Sequence, residues 1–323
     1  MNAIQDLLTP SFRDLSARAG SDPLQVQGPG GNASVKDGKI MWIKASGTEL
    51  ADARTKDIFV AVDLEAARSE ARGETGDGSC IGALLDPTAT LRPSIETTFH
   101  AALEHAVVLH THSVATLVHA VSPEGRRSLT EKLAGLPHAM VPYVKPGLPL
   151  TGAMLACIGP ETQIIVLANH GLVVCGATSG EVAELSDRVE ELLRMPVLRS
   201  NAGAPETTAP EGFHWSRFNW LAVDPRAARL AVSGTYYPDH VVFLGSGLPT
   251  GDHSGKPPAV LKAGEGVLMR NDATPSQRAM LRCLSDVLSR LPEDWSAEPI
   301  GVDAEAELLN WDAEQYRQTL AER

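Results

Sequence analysis

Positive charge is in short supply in this chain. It holds 28 lysines and arginines against 40 aspartates and glutamates, a formal net charge of -12. That balance argues against nucleic acid and against an anionic membrane surface as partners. It leaves an anionic small molecule open, because a metal ion and backbone N–H groups act locally. Cysteine is also scarce. Cys80, Cys157, Cys175 and Cys283 lie far apart and form no CxxC pair. This fits free thiols in a reducing cytoplasm and excludes a disulfide framework. Long apolar runs are missing, so nothing reads as a bilayer span or a signal peptide. A soluble, cytoplasmic protein is expected. Nucleotide motifs are absent too. Gly245-Ser-Gly247-Leu-Pro-Thr-Gly251 has the wrong spacing for a dinucleotide loop, and no helical pattern follows it. There is no P-loop, no GxSxG and no repeat.

What is present centres on residues 92–112. His110-Thr-His112 lies in the apolar run VVLHTHSVATLV, which reads as a buried strand leading into a helix. Side chains two apart on a strand share a face, so the two imidazoles can serve one ion. His170 closes a second apolar run, IIVLAN, where a turn at Gly171 could aim it at the same point. Three histidines with an open fourth position describe a catalytic metal site, with zinc or another divalent ion as the expected occupant. A lone histidine is usually structural, and His100, His105, His119, His138, His214, His240 and His253 carry that reading. Two on one buried face are costly to leave without partners.

Glu96 follows Pro93-Ser94 at the head of a segment with Ile95, Phe99 and Leu103 in helical spacing. Ser94 reads as the N-cap and Glu96 as a first-turn residue. Beside a metal it could move a proton to or from carbon. Alone, it would only complement the helix dipole.

Five motifs then occur in order: Gly31-Asn32-Ala33-Ser34, Ala45-Ser46-Gly47-Thr48, Pro93-Ser94-Ile95-Glu96, His110-Thr111-His112 and Asn169-His170-Gly171. They resemble the successive motifs of the class II aldolase/adducin family, over roughly residues 10–195. The resemblance implies His110, His112 and His170 as zinc ligands and Glu96 as the acid/base. It implies Asn32, Ser46, Gly47, Thr48 and Ser94 as substrate- or phosphate-binding positions. It also implies a homotetramer and a sugar or sugar-phosphate substrate cleaved through a metal-stabilised enediolate. One position departs. Sugar-phosphate members such as L-fuculose-1-phosphate aldolase carry a second serine before the glutamate, and here that residue is Ile95. The lost donor puts a phosphorylated substrate in doubt. The same scaffold serves dehydratases, epimerases and decarboxylases, and adducin's head shows a non-enzymatic use. A metal-dependent hydrolase needs the same ion and base.

The expected fold is a three-layer α/β/α domain with a central, mainly antiparallel sheet. It spans 1–198, followed by a linker at 199–211 and a small C-terminal α/β extension at 212–323. Short helices are expected over 3–19 with Pro10 as a break, and a hairpin around Asp37-Gly38. Strands are expected at 57–64, 240–245 and 266–270. Residues 68–90 read as an exposed loop and 137–152 as loop with a short strand. Thr178 and Thr274 read as capping boxes. The first opens a helix with Val182, Leu185, Val189 and Leu192 on one face, and a last helix is expected near 303–321. Lys145 invites a Schiff-base role, but its proline-rich loop offers nothing to lower its pKa. Tyr237-Pro238-Asp239-His240 resembles a segment after the aldolase part of bifunctional rhamnulose-1-phosphate aldolase/lactaldehyde dehydrogenases. Asp239 and His240 could reach the site, yet a structural turn is the favoured reading.

Overall fold

The structure, a computed structural model, describes residues 7–199, 202–251 and 257–321. Ile4, His253 and the Ser200-Asn201 part of the expected linker lie outside the described residues. The frame is a seven-stranded sheet of β1 (Asn32–Asp37), β2 (Ile40–Lys44), β3 (Phe59–Asp63), β4 (Val107–Thr111), β5 (His138–Val141), β6 (Ile164–Leu167) and β7 (Gly171–Gly176). Its order is β3-β2-β1-β4-β7-β6-β5, and all pairs are antiparallel except β5 with β6.

The strands alternate between two buried faces. Val107 and Leu109 of β4, Ile164 and Val166 of β6, and Leu172 and Val174 of β7 join one core. Phe12 and Leu15 of the Pro10–Ser21 helix and Val182, Val189 and Leu193 of the Ser179–Leu193 helix cover it. Val108, Ile165, Leu167, Val173 and Cys175 point the other way, under Phe99, Leu150 and Met154. Near-continuous apolar runs therefore reflect burial on both sides, which makes the expected three layers.

Several local expectations change. Pro10 starts a helix instead of breaking one, because Thr9 caps it and proline suits the first helical position. The Val241–Gly245 run lies in the Pro238–Leu244 helix and its cap, not in a strand. A short apolar run cannot tell strand from buried helix by periodicity, and Pro238 decides it. A helix over Leu148–Cys157 takes the end of one expected loop, and the Leu64–Ala71 helix runs into the start of the other. The last helix is two, Val302–Leu309 and Asp312–Ala321, turning at Asn310-Trp311. At Thr178 the box is half made, since Glu181 accepts from Ala177 N instead of Thr178 N. Leu192 is exposed, and Ser186 and Leu193 complete the buried face with Val182 and Val189. Thr274 forms the full box.

The C-terminal part carries a three-stranded antiparallel sheet, β8 (Phe213–Trp215), β9 (Ala259–Lys262) and β10 (Gly266–Arg270), ordered β8-β10-β9. Its core is neither small nor separate. Met280, Leu284 and Val287 of the Pro275–Leu288 helix and Tyr237, Val241 and Leu244 pack with Val114, Leu117, Val118 and Val121. Those valines and Leu117 follow directly on the His-x-His segment, so the C-terminal part is anchored beside it. Among the described residues no helix is long and apolar enough to cross a membrane.

Candidate metal centre and active site

Register sets the first ligand. Asn32 of β1 pairs with His110 of β4, which pairs with Val173 of β7. The strand ends at Thr111, and Ser113 caps the helix Val114–Ala120 by accepting from Thr116 N. His112 sits in the corner between them. The turn joining β6 to β7 brings His170. Asn169 adopts φ +53° there, a left-handed conformation that asparagine tolerates better than most residues. Gly171 is needed for closeness: a Cβ on it would lie 2.3 Å from Thr111 O and 3.2 Å from His110 Cε1.

One nitrogen from each of His110, His112 and His170 lies within 4.8 Å of the others, and all three residues are buried. His110 Nδ1 donates to Leu172 O at 3.0 Å, which leaves Nε2 as a lone pair. His110 Nε2, His112 Nδ1, His170 Nδ1 and Glu96 Oε1 are buried without a hydrogen-bond partner among the described residues. Burial pushes His112 and His170 down to about 3, so both are neutral at ordinary pH. Converging buried imidazoles, each with a ring nitrogen left without a partner, are the donor set that a divalent ion requires. The residues present fit such an ion.

Glu96 faces this set, 3.5 Å from His110 Nε2 and 3.3 Å from His170 Nε2. It is not in the first helical turn. The helix is Thr97–Ala102, and Glu96 occupies its cap position without a side-chain capping bond. Ser94 is therefore two residues too early to be the N-cap; its Oγ accepts from Glu96 N instead. The freed carboxylate turns inward, where Asn32 Nδ2 donates to Oε2 at 2.7 Å. Burial alone would raise the Glu96 pKa. His110, His170, Asn32 and Arg317 outweigh it and hold the carboxyl below its usual range.

Asn32 is fully engaged. Nδ2 also donates to Ser94 Oγ at 3.0 Å, and Oδ1 accepts from His100 Nε2. His100 Nδ1 then accepts from Ser34 Oγ at 2.7 Å, so His100 is structural as expected. Ser46, Gly47, Ser94 and Ile95 line the same cavity as Glu96, His112 and His170. Thr48 does not; its N–H and hydroxyl both donate to Ala45 O. Lys145 is also elsewhere, stacked over Trp311 at 4.8 Å.

Four charged residues of the cavity wall were not expected there. Asp239 Oδ2 lies 3.4 Å from His112 Nδ1, at ion-pair distance. Both guanidinium ends of Arg317 donate to Asp239, at 2.9 and 3.1 Å, and Arg317 also binds Glu314 at 2.8 Å. All three are buried. Burial raises the Glu314 pKa, whereas Arg317 and then His112 outweigh burial at Asp239 and hold it down. Asp239 thus reaches the site, against the structural reading. His240 does not: it is buried, and both its nitrogens lack partners among the described residues. Lys44, at the end of β2, is the fourth. Its Nζ donates to Pro29 O at 2.8 Å, and burial first, then Arg317, push it down to about 7. The clue in the sequence was a lysine closing the strand run IMWIK; nothing in sequence showed that the last helix folds back with Arg317.

Residues 19–197 match the family described as the Class II Aldolase and Adducin N-terminal domain. The chain belongs to this family. A Bacillus subtilis (strain 168) protein named "Uncharacterized oxidoreductase YuxG" is 30% identical over 175 residues, 50% of this chain and 25% of that protein. The chain therefore spans about a quarter of the length of that relative. The "3-oxo-tetronate 4-phosphate decarboxylase" of Escherichia coli (strain K12) is 31% identical over 147 residues, 38% of this chain and 68% of the enzyme. Among solved structures, the N-terminal class II aldolase domain of a conserved protein from Thermoplasma acidophilum superposes with a TM-score of 0.51 at 26% identity. That match covers 60% of this chain and 96% of the other. In this family member the three histidines, Glu96 and Lys44 fall inside the matched residues. Asp239, Glu314 and Arg317 fall outside them.

Proposed function

We propose that the protein is a metal-dependent lyase of the aldolase type, acting on a small sugar-derived hydroxycarbonyl compound. The observation that carries this reading is the convergence of three buried imidazoles, each with a ring nitrogen that lacks a hydrogen-bond partner among the described residues, on a space faced by Glu96. His110, His112 and His170 would hold the ion, with zinc the proposed one. Such an ion supplies the positive charge that stabilises an enediolate-like oxyanion as a C–C bond breaks or forms.

The chain's own residues do the rest. Glu96 Oε2 is fixed by the Asn32 amide, and Oε1 is left free to take a proton from, or return it to, the reacting carbon. Asn32 is itself locked by His100 and Ser94, so the carboxylate is aimed before substrate arrives. Phe99 packs edge-on against His110 and keeps water from the sheet side of the ligand set.

A second reading, decarboxylation on the same site, is supported by the similarity to the Escherichia coli decarboxylase. It uses the same ion and the same oxyanion. A homotetramer in the cytoplasm completes the proposal, with light scattering as the check on assembly. The deciding experiment incubates metal-loaded and chelator-stripped protein with ketoses, ketose phosphates and 3-oxo acids, and follows aldehyde and carbon dioxide release. Aldehyde release that needs the metal supports the aldolase reading, and carbon dioxide release the second. If no C–C cleavage depends on the metal, both readings fall.

A further inference from the structure

The resemblance to sugar-phosphate enzymes makes Asn32, Ser46, Gly47, Thr48 and Ser94 a phosphate nest, and here that nest is largely spent. Both Asn32 amide hydrogens go to Ser94 and Glu96. Ser46 N donates to Arg92 O, and Thr48 N and Oγ1 both donate to Ala45 O. Gly47, at φ +77°, is covered: a Cβ there would lie 2.3 Å from Leu320 Cδ1 of the Asp312–Ala321 helix. Ile95 adds an apolar branch to the wall. The cavity is small, about 30 Å³, and open on one side. With these donors spent and Gly47 covered, a phosphoryl group's three terminal oxygens lack the nest they would need.

Two groups in the same cavity are unspent. Ser46 Oγ is buried and has no partner among the described residues. Lys44 lines the same cavity, and its buried Nζ makes a hydrogen bond to Pro29 O and no other among the described residues. A buried lysine amine with free donors and a free hydroxyl lining one cavity match a planar, two-oxygen anion, whose charge would itself favour the protonated amine. Charge agrees. Arg317 faces Lys44 from the last helix, but its guanidinium is held by Asp239 and Glu314, so it is not the receiving cation. Lys44 and Arg317 stand against Asp239, Glu314 and Glu96, and a divalent ion would turn the total positive.

We propose that the substrate is an unphosphorylated hydroxy acid whose carboxylate is received by Lys44 Nζ and Ser46 Oγ, while its hydroxycarbonyl end faces the three histidines. The C-terminal helix sets this specificity by placing Leu320 over Gly47. The proposal rests on the metal-dependent lyase reading and narrows its substrate class.

Four probes test it by calorimetry on zinc-loaded protein. Tartronate and glycolate share a chelating hydroxy-acid head, and only tartronate carries a second carboxylate. Phosphoglycolohydroxamate and glycolohydroxamate differ by the phosphoryl group. Tartronate should bind more tightly than glycolate, by about 10- to 100-fold, the worth of a hydrogen bond to a charged group. Lys44→Met should erase that difference, with zinc content and glycolate affinity unchanged. Ser46→Ala, a milder change, should reduce it partly. Phosphoglycolohydroxamate should gain nothing over glycolohydroxamate in the wild type, and should gain in Leu320→Ala. Tighter binding of the phosphorylated hydroxamate by the wild type would overturn the carboxylate assignment and leave the lyase reading standing. So would equal affinity for tartronate and glycolate. Probes that bind equally to zinc-loaded and zinc-free protein would sink the lyase reading, and this proposal with it.

Discussion

The two walls of the cavity are built on different terms. The wall inside the matched family region is made by strand register and turns: Asn32 opposite His110, His112 at a strand end, and His170 behind a left-handed Asn169. His110 Nε2, His112 Nδ1, His170 Nδ1 and Glu96 Oε1 are left without partners there. The other wall comes from the Pro238–Leu244 and Asp312–Ala321 helices and is closed on itself, with Asp239, Arg317 and Glu314 satisfying one another. The first wall suits chemistry, because open donors can be used by a ligand. The second suits shape, because a saturated network cannot rearrange cheaply around a new partner. Specificity can therefore vary through the C-terminal helix while the ligand set stays fixed.

The strongest test of this contrast removes the open wall's purpose. The double substitution His110→Ala/His112→Ala should abolish stoichiometric divalent metal, measured by plasma emission on gel-filtered protein. About one ion per chain persisting in that variant would refute the ligand set. Glu96→Gln comes next. It keeps the Asn32 bond and most of the metal, and should slow proton transfer by ~10²–10⁴-fold, read as isotope exchange or turnover on a confirmed substrate. Turnover at the wild-type rate would make Glu96 a cap residue and nothing more.

The closed wall should break through stability first. Arg317→Met leaves Asp239 and Glu314 buried without a cation, a loss of about 3–5 kcal/mol in chemical denaturation. Asp239→Asn should weaken zinc binding by about 10- to 100-fold in chelator competition, because the group beside His112 Nδ1 loses its charge. Unchanged zinc affinity would show that the second wall serves shape alone.

The smallest expected effect concerns pH. Burial pushes Lys36 and Lys44 both down to about 7, with Arg68 and Arg317 as the next causes. An unfolded lysine keeps its proton to about 10.4, so above 7 the unfolded chain binds more protons than the folded one. Stability should therefore rise from about pH 7.5 to 8.5, by up to about 1.4 kcal/mol per pH unit for each lysine. Lys36→Met should flatten part of that rise. A wild-type stability that falls across this window would show that the buried amines remain charged.

Much of the open wall was legible in the sequence for a simple reason. Period-two alternation and the turn residues Asn169 and Gly171 are local, and they place His110, His112 and His170 relative to one another once the strands pair. The error at Ser94 was a two-residue shift of the helix start, and that shift decides whether Glu96 lies in the first helical turn or turns inward toward the three histidines. The strand expected at 240–245 failed because a fully buried helix and a buried strand have the same apolar composition. Lys44 was hidden by its company, since a lysine closing a strand run reads as solvent-facing until the layers above it are known.

The sequence by itself determined the sheet, its two apolar faces and the placing of the three histidines, because each follows from spacing along one or two strands. Only the tertiary structure decided what surrounds them. The last helix lies more than a hundred residues beyond His170, and its return across the cavity depends on the core shared between Val114–Val121 and the C-terminal helices. No local pattern encodes that contact. It places Arg317 against Asp239 and Leu320 over Gly47, and so forms one wall of the cavity that Lys44 and Ser46 line from the other side.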